Sequence, residues 1–208
     1  MRSTLMCIAA LGMTLPAHAS LPAGVALDTD VAGTAATVHL TLTDVASVDL
    51  VGDDDNVAFV VDLAALVGAP SASLVRIESI GWNITLETVD PSWLLDASVA
   101  FDDADAPFPA DPDAFSLAPG FTDAFSGSGT YVQPSITLSS VGLADLVLDR
   151  GMLLVEFFET FEDHPDAPDA LWSGVITFGV IRTVPAPASG SAFALVLAAA
   201  SRRCRRSM

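Results

Sequence analysis

Lysine is absent from this chain of 208 residues. Its eight basic residues are all arginine, and five lie near the ends: Arg2, Arg202, Arg203, Arg205 and Arg206. All 26 acidic residues fall between residues 20 and 183, where Arg76, Arg150 and Arg182 are the only cations, so this body carries a formal charge of −23. Such a surface repels phosphate backbones and anionic lipid, which excludes nucleic acid as a partner. The body also lacks cysteine, since Cys7 and Cys204 lie outside it. That excludes a disulfide framework and a thiol nucleophile. Its two histidines, His39 and His164, are too few and too separated for a zinc site. Neither stands beside a nucleophile-elbow pattern, so no catalytic residue is named. Aromatics are sparse, and core positions are expected for Trp82, Trp93 and Trp172.

What is present begins with the two ends. The start, "MRSTLMCIAALGMTLPAHAS", has basic Arg2, an apolar run from Leu5 to Leu15, a break at Pro16 and a small-x-small ending at Ala17-His18-Ala19. This order is that of a secretory signal peptide over residues 1–19, with signal peptidase cutting after Ala19. The end, "TVPAPASGSAFALVLAAASRRCRRSM", has an extended Val184-Pro185-Ala186-Pro187 segment, a short apolar run, then Arg202, Arg203, Arg205 and Arg206. An apolar run followed by arginines is a stop-transfer layout. From Ala186 to Ser201 it is shorter than the ~20 residues a permanent helical span takes. A temporary stay in the membrane fits that length.

Residues 184–208 resemble the PEP-CTERM class of sorting signals, found in Gram-negative exopolysaccharide producers and processed by exosortases. The family's usual core is Val-Pro-Glu-Pro, and Ala186 replaces the glutamate here. The resemblance implies export, transient inner-membrane insertion through a short sorting helix, cleavage near the Pro motif, and transfer to the cell surface or matrix. It also implies an exosortase-type enzyme as a processing partner.

The body, residues 20–183, reads as a single all-β domain. In "TAATVHLTLT" (34–43), Val38, Leu40 and Leu42 alternate with His39, Thr41 and Thr43. "NVAFVVDLAAL" (56–66) starts as a strand and ends as a helical turn. In "SLVRIESIGWNITLETV" (73–89), Val75 and Ile77 share one parity and Ile80, Trp82, Ile84 and Leu86 the other. A one-residue slip near Ser79-Ile80-Gly81 is what a β-bulge produces. "WLLDASVAF" (93–101) places Leu95, Ala97, Val99 and Phe101 inward. From Asp102 to Gly129 the alternation dissolves into a long Asp- and Pro-rich loop. "TYVQPSITLSSVGL" follows, with Pro134 marking an edge strand or kink, then "GMLLVEFFETF" (151–161) and "LWSGVITFGVI" (171–181). Strands of this length with turn signals between them indicate a β-sandwich or jelly roll. Segments around Trp82 to Asp103 and Leu153 to Phe178 also resemble the paired strands of jelly-roll P domains, including the Trp172-Ser173 pair after an acidic turn.

Calcium is the one cofactor the composition fits, because loops between strands supply carboxylate oxygens. Three clusters qualify: Asp53-Asp54-Asp55-Asn56; Asp102-Asp103 with Asp105; and Glu162-Asp163 with Asp166 and Asp169. None has EF-hand spacing. A solvated acidic coat suited to saline surroundings is the competing reading of the same residues. The expected role is structural or binding at the cell surface, with no enzymatic activity. The rival is a carbohydrate-binding module for exopolysaccharide, and a small secreted hydrolase is a third class. Exposed aromatics gathered at one sheet face or loop end would mark the glycan binder, and an all-charged surface the structural role. A polar cleft with a displaced carboxylate pKa would mark the hydrolase.

Overall fold

The structure, a computed structural model, describes residues 21–71, 73–104, 114–163 and 167–183. The expectations for Ala17 and Ala19, for Val184, Pro185, Pro187 and the arginines of the tail, and for Asp105, His164 and Asp166 lie outside the described residues.

Ten strands follow in chain order: β1 (Val25–Ala32), β2 (Ala35–Ser47), β3 (Val57–Asp62), β4 (Val75–Thr88), β5 (Ala97–Asp103), β6 (Phe115–Leu117), β7 (Gly127–Thr137), β8 (Leu146–Leu148), β9 (Met152–Glu159) and β10 (Ala170–Arg182). One helical turn, α1 (Leu63–Leu66), follows β3 as "DLAAL" predicts, with Asp62 capping it through a bond from Ala65 N at 2.8 Å. One sheet runs β1-β2-β10-β4-β7, with β8 also on β4; the other runs β3-β9-β5-β6. Every strand pair is antiparallel. Leaving out β1 and β8, the chain alternates between the sheets except at the β5–β6 hairpin. This wrapping is the jelly roll, and it closes a single β-sandwich.

The alternation read from the sequence decides which side chains enter the core. Val38, Leu40 and Leu42 are buried on β2. On β4 the parity slip is a bulge: Ser79 pairs with Gly179 and Ile77 with Val180, leaving Glu78 without a counterpart. Pro134 lies on β7, the edge strand expected, where Pro134 and Ser135 together oppose Gly81. A Cβ on Gly81 would stand 2.8 Å from Ser135 N, so glycine is required by that close approach.

The two sheets interlock through aromatics. Phe157 of β9 meets Trp172 of β10 edge to face, with centroids 5.3 Å apart. Phe101 of β5 meets Phe178 of β10 in the same manner at 5.2 Å. Such pairs contribute about 0.5–1.5 kcal/mol beyond the area they bury.

Three expectations are corrected. Trp82 is only half-buried, because it stands next to the bulge and faces Gln133 on the edge strand, where cover is incomplete. Leu94 rather than Leu95 is enclosed, because residues 93–96 are not strand. Leu94 N and Leu95 N instead bond Phe125 O at 3.0 Å and Asp123 O at 3.2 Å, so strand parity does not apply there. The Asp102–Gly129 stretch is not one loop, since β5 runs to Asp103, β6 pairs with β5 at Val99↔Leu117, and β7 starts at Gly127.

Candidate functional site at one end of the sandwich

The strand registers gather the connections 48–56, 89–96, 118–126 and 160–169 at one end. In one sheet Ala170 pairs with both Ser47 and Thr88, and Thr88 pairs with Gly127. In the other, Ala97 pairs with Glu159 and Val57 with Phe157. The opposite end holds Arg76, Arg150 and Arg182, at or beside the starts of β4 and β9 and the close of β10. There Arg76 pairs with Asp145 at 3.4 Å, and Arg182 donates to the carbonyls of Val67, Gly68 and Gly33. The four gathered connections contain neither arginine nor lysine.

Exposed aromatics collect where the cations are missing. Trp93 is 45% exposed and Phe161 64%, and both line a cleft of about 380 Å³ with Pro91, Leu95, Asp96 and Asp163. This volume lies within the range of small-ligand sites. Phe121 and Phe125 are also exposed, on the connection that runs beside Leu94 and Leu95. Trp93 therefore departs from its expected core role. The "DPSW" turn places it in a loop before β5 begins, and Ser92 N closes that turn onto Val89 O at 2.9 Å.

Hydrogen bonds between two connections hold the cleft walls. Thr160 Oγ1 donates to Asp96 Oδ1 and Thr160 N to Asp96 O, both at 2.9 Å. Ser92 Oγ donates to Asp169 Oδ1 at 2.8 Å, and Asp163 N to Asp169 Oδ2 at 3.3 Å. Behind the walls, Glu159 is enclosed. Ser47 Oγ donates to its Oε1, and Trp172 Nε1 donates to Ser47 Oγ at 3.0 Å. Glu159 Oε2 has no hydrogen-bond partner among the described residues. Burial pushes the Glu159 carboxyl up to about 8, opposed by the Ser47 bond and reinforced by the charges of Asp169, Asp96 and Asp163.

The acidic clusters have separate fates. Asp53, Asp54 and Asp55 form an exposed turn, with Asp55 N donating to Asp53 Oδ1 at 3.1 Å. Asn56 is buried and holds this connection to β9: its Nδ2 donates to Leu50 O at 2.8 Å and to Glu156 Oε1 at 3.0 Å. Exposed Glu162 comes near this cluster, and its carboxyl is raised chiefly by the Asp49 charge, with Asp169 and Asp53 adding to it. Asp102 and Asp103 lie at the arginine end and are buried. Asp102 Oδ1 accepts from Asp103 N at 2.7 Å, and Asp103 Oδ2 from Asp149 N at 2.8 Å. Among the described residues, no three His, Cys, Asp or Glu side chains form a group that could hold a metal ion. His39 lies away from this end, with Nδ1 3.2 Å from Thr177 Oγ1 and Nε2 4.0 Å from Asp30.

No protein-family model matches the chain, and no curated protein does. Among solved structures, the Tobacco streak virus coat protein dimer is similar at 13% identity, covering 77% of this chain and 94% of that one, with a TM-score of 0.29. Desmodium yellow mottle tymovirus is similar at 13% identity, covering 91% and 99%, also with a TM-score of 0.29. At such scores the likenesses carry no argument, and the jelly roll described above stands on its own strand order.

Proposed function

We propose that this chain is an exported, non-enzymatic binding protein of a bacterial surface or its matrix, and that the bound partner is a glycan. The Trp93–Phe161 cleft carries the reading. Flat apolar faces of sugar rings stack on exposed aromatic side chains, and neighbouring carboxylates accept hydroxyl hydrogen bonds. Asp96 and Asp163 line the same cleft. A purely structural surface protein has no need to leave Trp93 and Phe161 uncovered together.

The hydrolase reading is weaker. Glu159 has the displaced pKa that such a reading asks for, but it is enclosed and meets no solvent. Its proton serves the core rather than a substrate. Export and sorting rest on the signal-peptide layout of residues 1–19 and on the resemblance of residues 184–208.

The test is binding of the exported protein to a panel of immobilised polysaccharides, neutral, amine-bearing and anionic. Binding to at least one class, lost in Trp93→Ala, is expected. Absence of binding to every class would overturn the proposal.

A further inference from the structure

We infer that the outer face of the sheet β1-β2-β10-β4-β7 joins two copies of this chain into a two-fold symmetric dimer. Strand registers align the outward side chains of this sheet into rows. Ala26, Thr41, Val175, Asn83 and Val132 make one row across all five strands. His39 and Thr177 stand in the next, with Nδ1 3.2 Å from Oγ1. Thr37, Gly179, Ser79 and Thr137 follow. On the other side of the long row lie Ser173, Thr85 and Thr130. The face is uncovered: Val132 is 66% exposed, and Thr41, Asn83 and Thr130 are exposed.

Those side chains include no carboxylate and no arginine. The acids of the sheet stand around them: Asp28 and Asp30 on the β1 edge, Asp44 and Glu87 toward the cleft end, and Glu78 at the bulge. A centre depleted of charge inside a charged rim is the anatomy of a protein interface. Two bodies of charge −23 repel, so copies of this chain join where acids are absent. Hydroxyl and amide side chains both donate and accept hydrogen bonds, so this surface is complementary to itself. A two-fold contact sets one patch against the same patch and uses that property. A glycan would need aromatic platforms, but Trp82, Tyr131, Trp172 and Phe178 of this sheet pack in or against the core. The extent also fits. Five strands about 4.8 Å apart, with β10 rising about 3.3 Å per residue from Leu171 to Ile181, make a face of about 800 Å². One partner in a standard-size interface contributes about 800 Å².

The test is sedimentation equilibrium of the exported protein at about 50 µM, in low and in raised sodium chloride. A dimer is expected. Its dissociation constant should fall severalfold as salt rises, because screening weakens the repulsion between the two acidic bodies. Thr41→Asp and Val132→Asp each bring two new like charges into the contact. Each should weaken the dimer more than about tenfold, with the β-sheet circular-dichroism spectrum unchanged. Both positions are exposed and lie on different strands, so if one substitution disturbs the fold the other still reads the contact. A monomer at every salt concentration would overturn the inference, whether or not a different protein covers the face. A dimer that survives both aspartates, or one that is lost in Trp93→Ala, would overturn it too, because the two copies then meet elsewhere.

Discussion

Ser47 and Glu159 meet across the sandwich: the hydroxyl at the close of β2 donates to the carboxyl at the close of β9. Trp172 Nε1 completes the chain by donating to the same hydroxyl. Two sheets are thus tied at the end that bears the cleft, and the tie includes an acid that keeps its proton.

The sign of its pH effect is opposite to that of a carboxylate whose pKa is lowered by folding. Glu159 titrates near 8 in the folded protein against an ordinary 4.5. Between those values the unfolded chain releases a proton that the folded chain retains. Stability therefore falls as pH rises from 4.5 to 8 and levels off above. The loss is on the order of a few kcal/mol. Glu159→Gln keeps an acceptor for Ser47 and removes the titration. Its melting temperature should exceed that of the parent near pH 8, with the difference vanishing near pH 4.5. Parallel curves for the two proteins would refute this.

Gly174 should resist substitution. It sits at a β10 register shift with φ of +131°, and a Cβ there would stand 2.1 Å from Asn83 O. Backbone strain and overlap together should cost Gly174→Ala roughly 2–3 kcal/mol. Thermal unfolding should show a drop of about 5–10 °C for a domain of this size. An unchanged melting temperature would mean that β4 moves away at no cost.

Ions offer a third test. Asp53 to Asp55 form an exposed turn, while Asp102 and Asp103 bond backbone amides. Melting curves in calcium chloride and in sodium chloride of matched ionic strength should superimpose, with both salts stabilising by screening. A rise specific to calcium would support a cage at one of the three acidic clusters. At about 100 times a dissociation constant, that rise corresponds to roughly 2.7 kcal/mol.

Processing is read by mass. If both ends are removable, the exported protein lacks residues 1–19 and much of 184–208. An exported chain still ending in Met208 would sink the sorting proposal. Neutralising Arg202, Arg203, Arg205 and Arg206 should weaken membrane retention.

The strands were legible in the sequence because strand periodicity is local: Val38, Leu40 and Leu42 alternate whatever lies beside them. The slip between Ile77 and Ile80 was legible for the same reason, and the structure shows it as a bulge at Glu78. Periodicity fails where the chain leaves the sheet, so Trp93 and Leu95 were misplaced while Trp172 was placed correctly. Composition alone determined that the body is acidic and has no lysine or cysteine. Only the tertiary structure decided that Arg76, Arg150 and Arg182 share one end while Trp93 and Phe161 meet at the other. The physical reason is that strand order is a non-local property. Pairing Ala170 with both Ser47 and Thr88 brings distant turns together, and no run of neighbouring residues encodes that meeting.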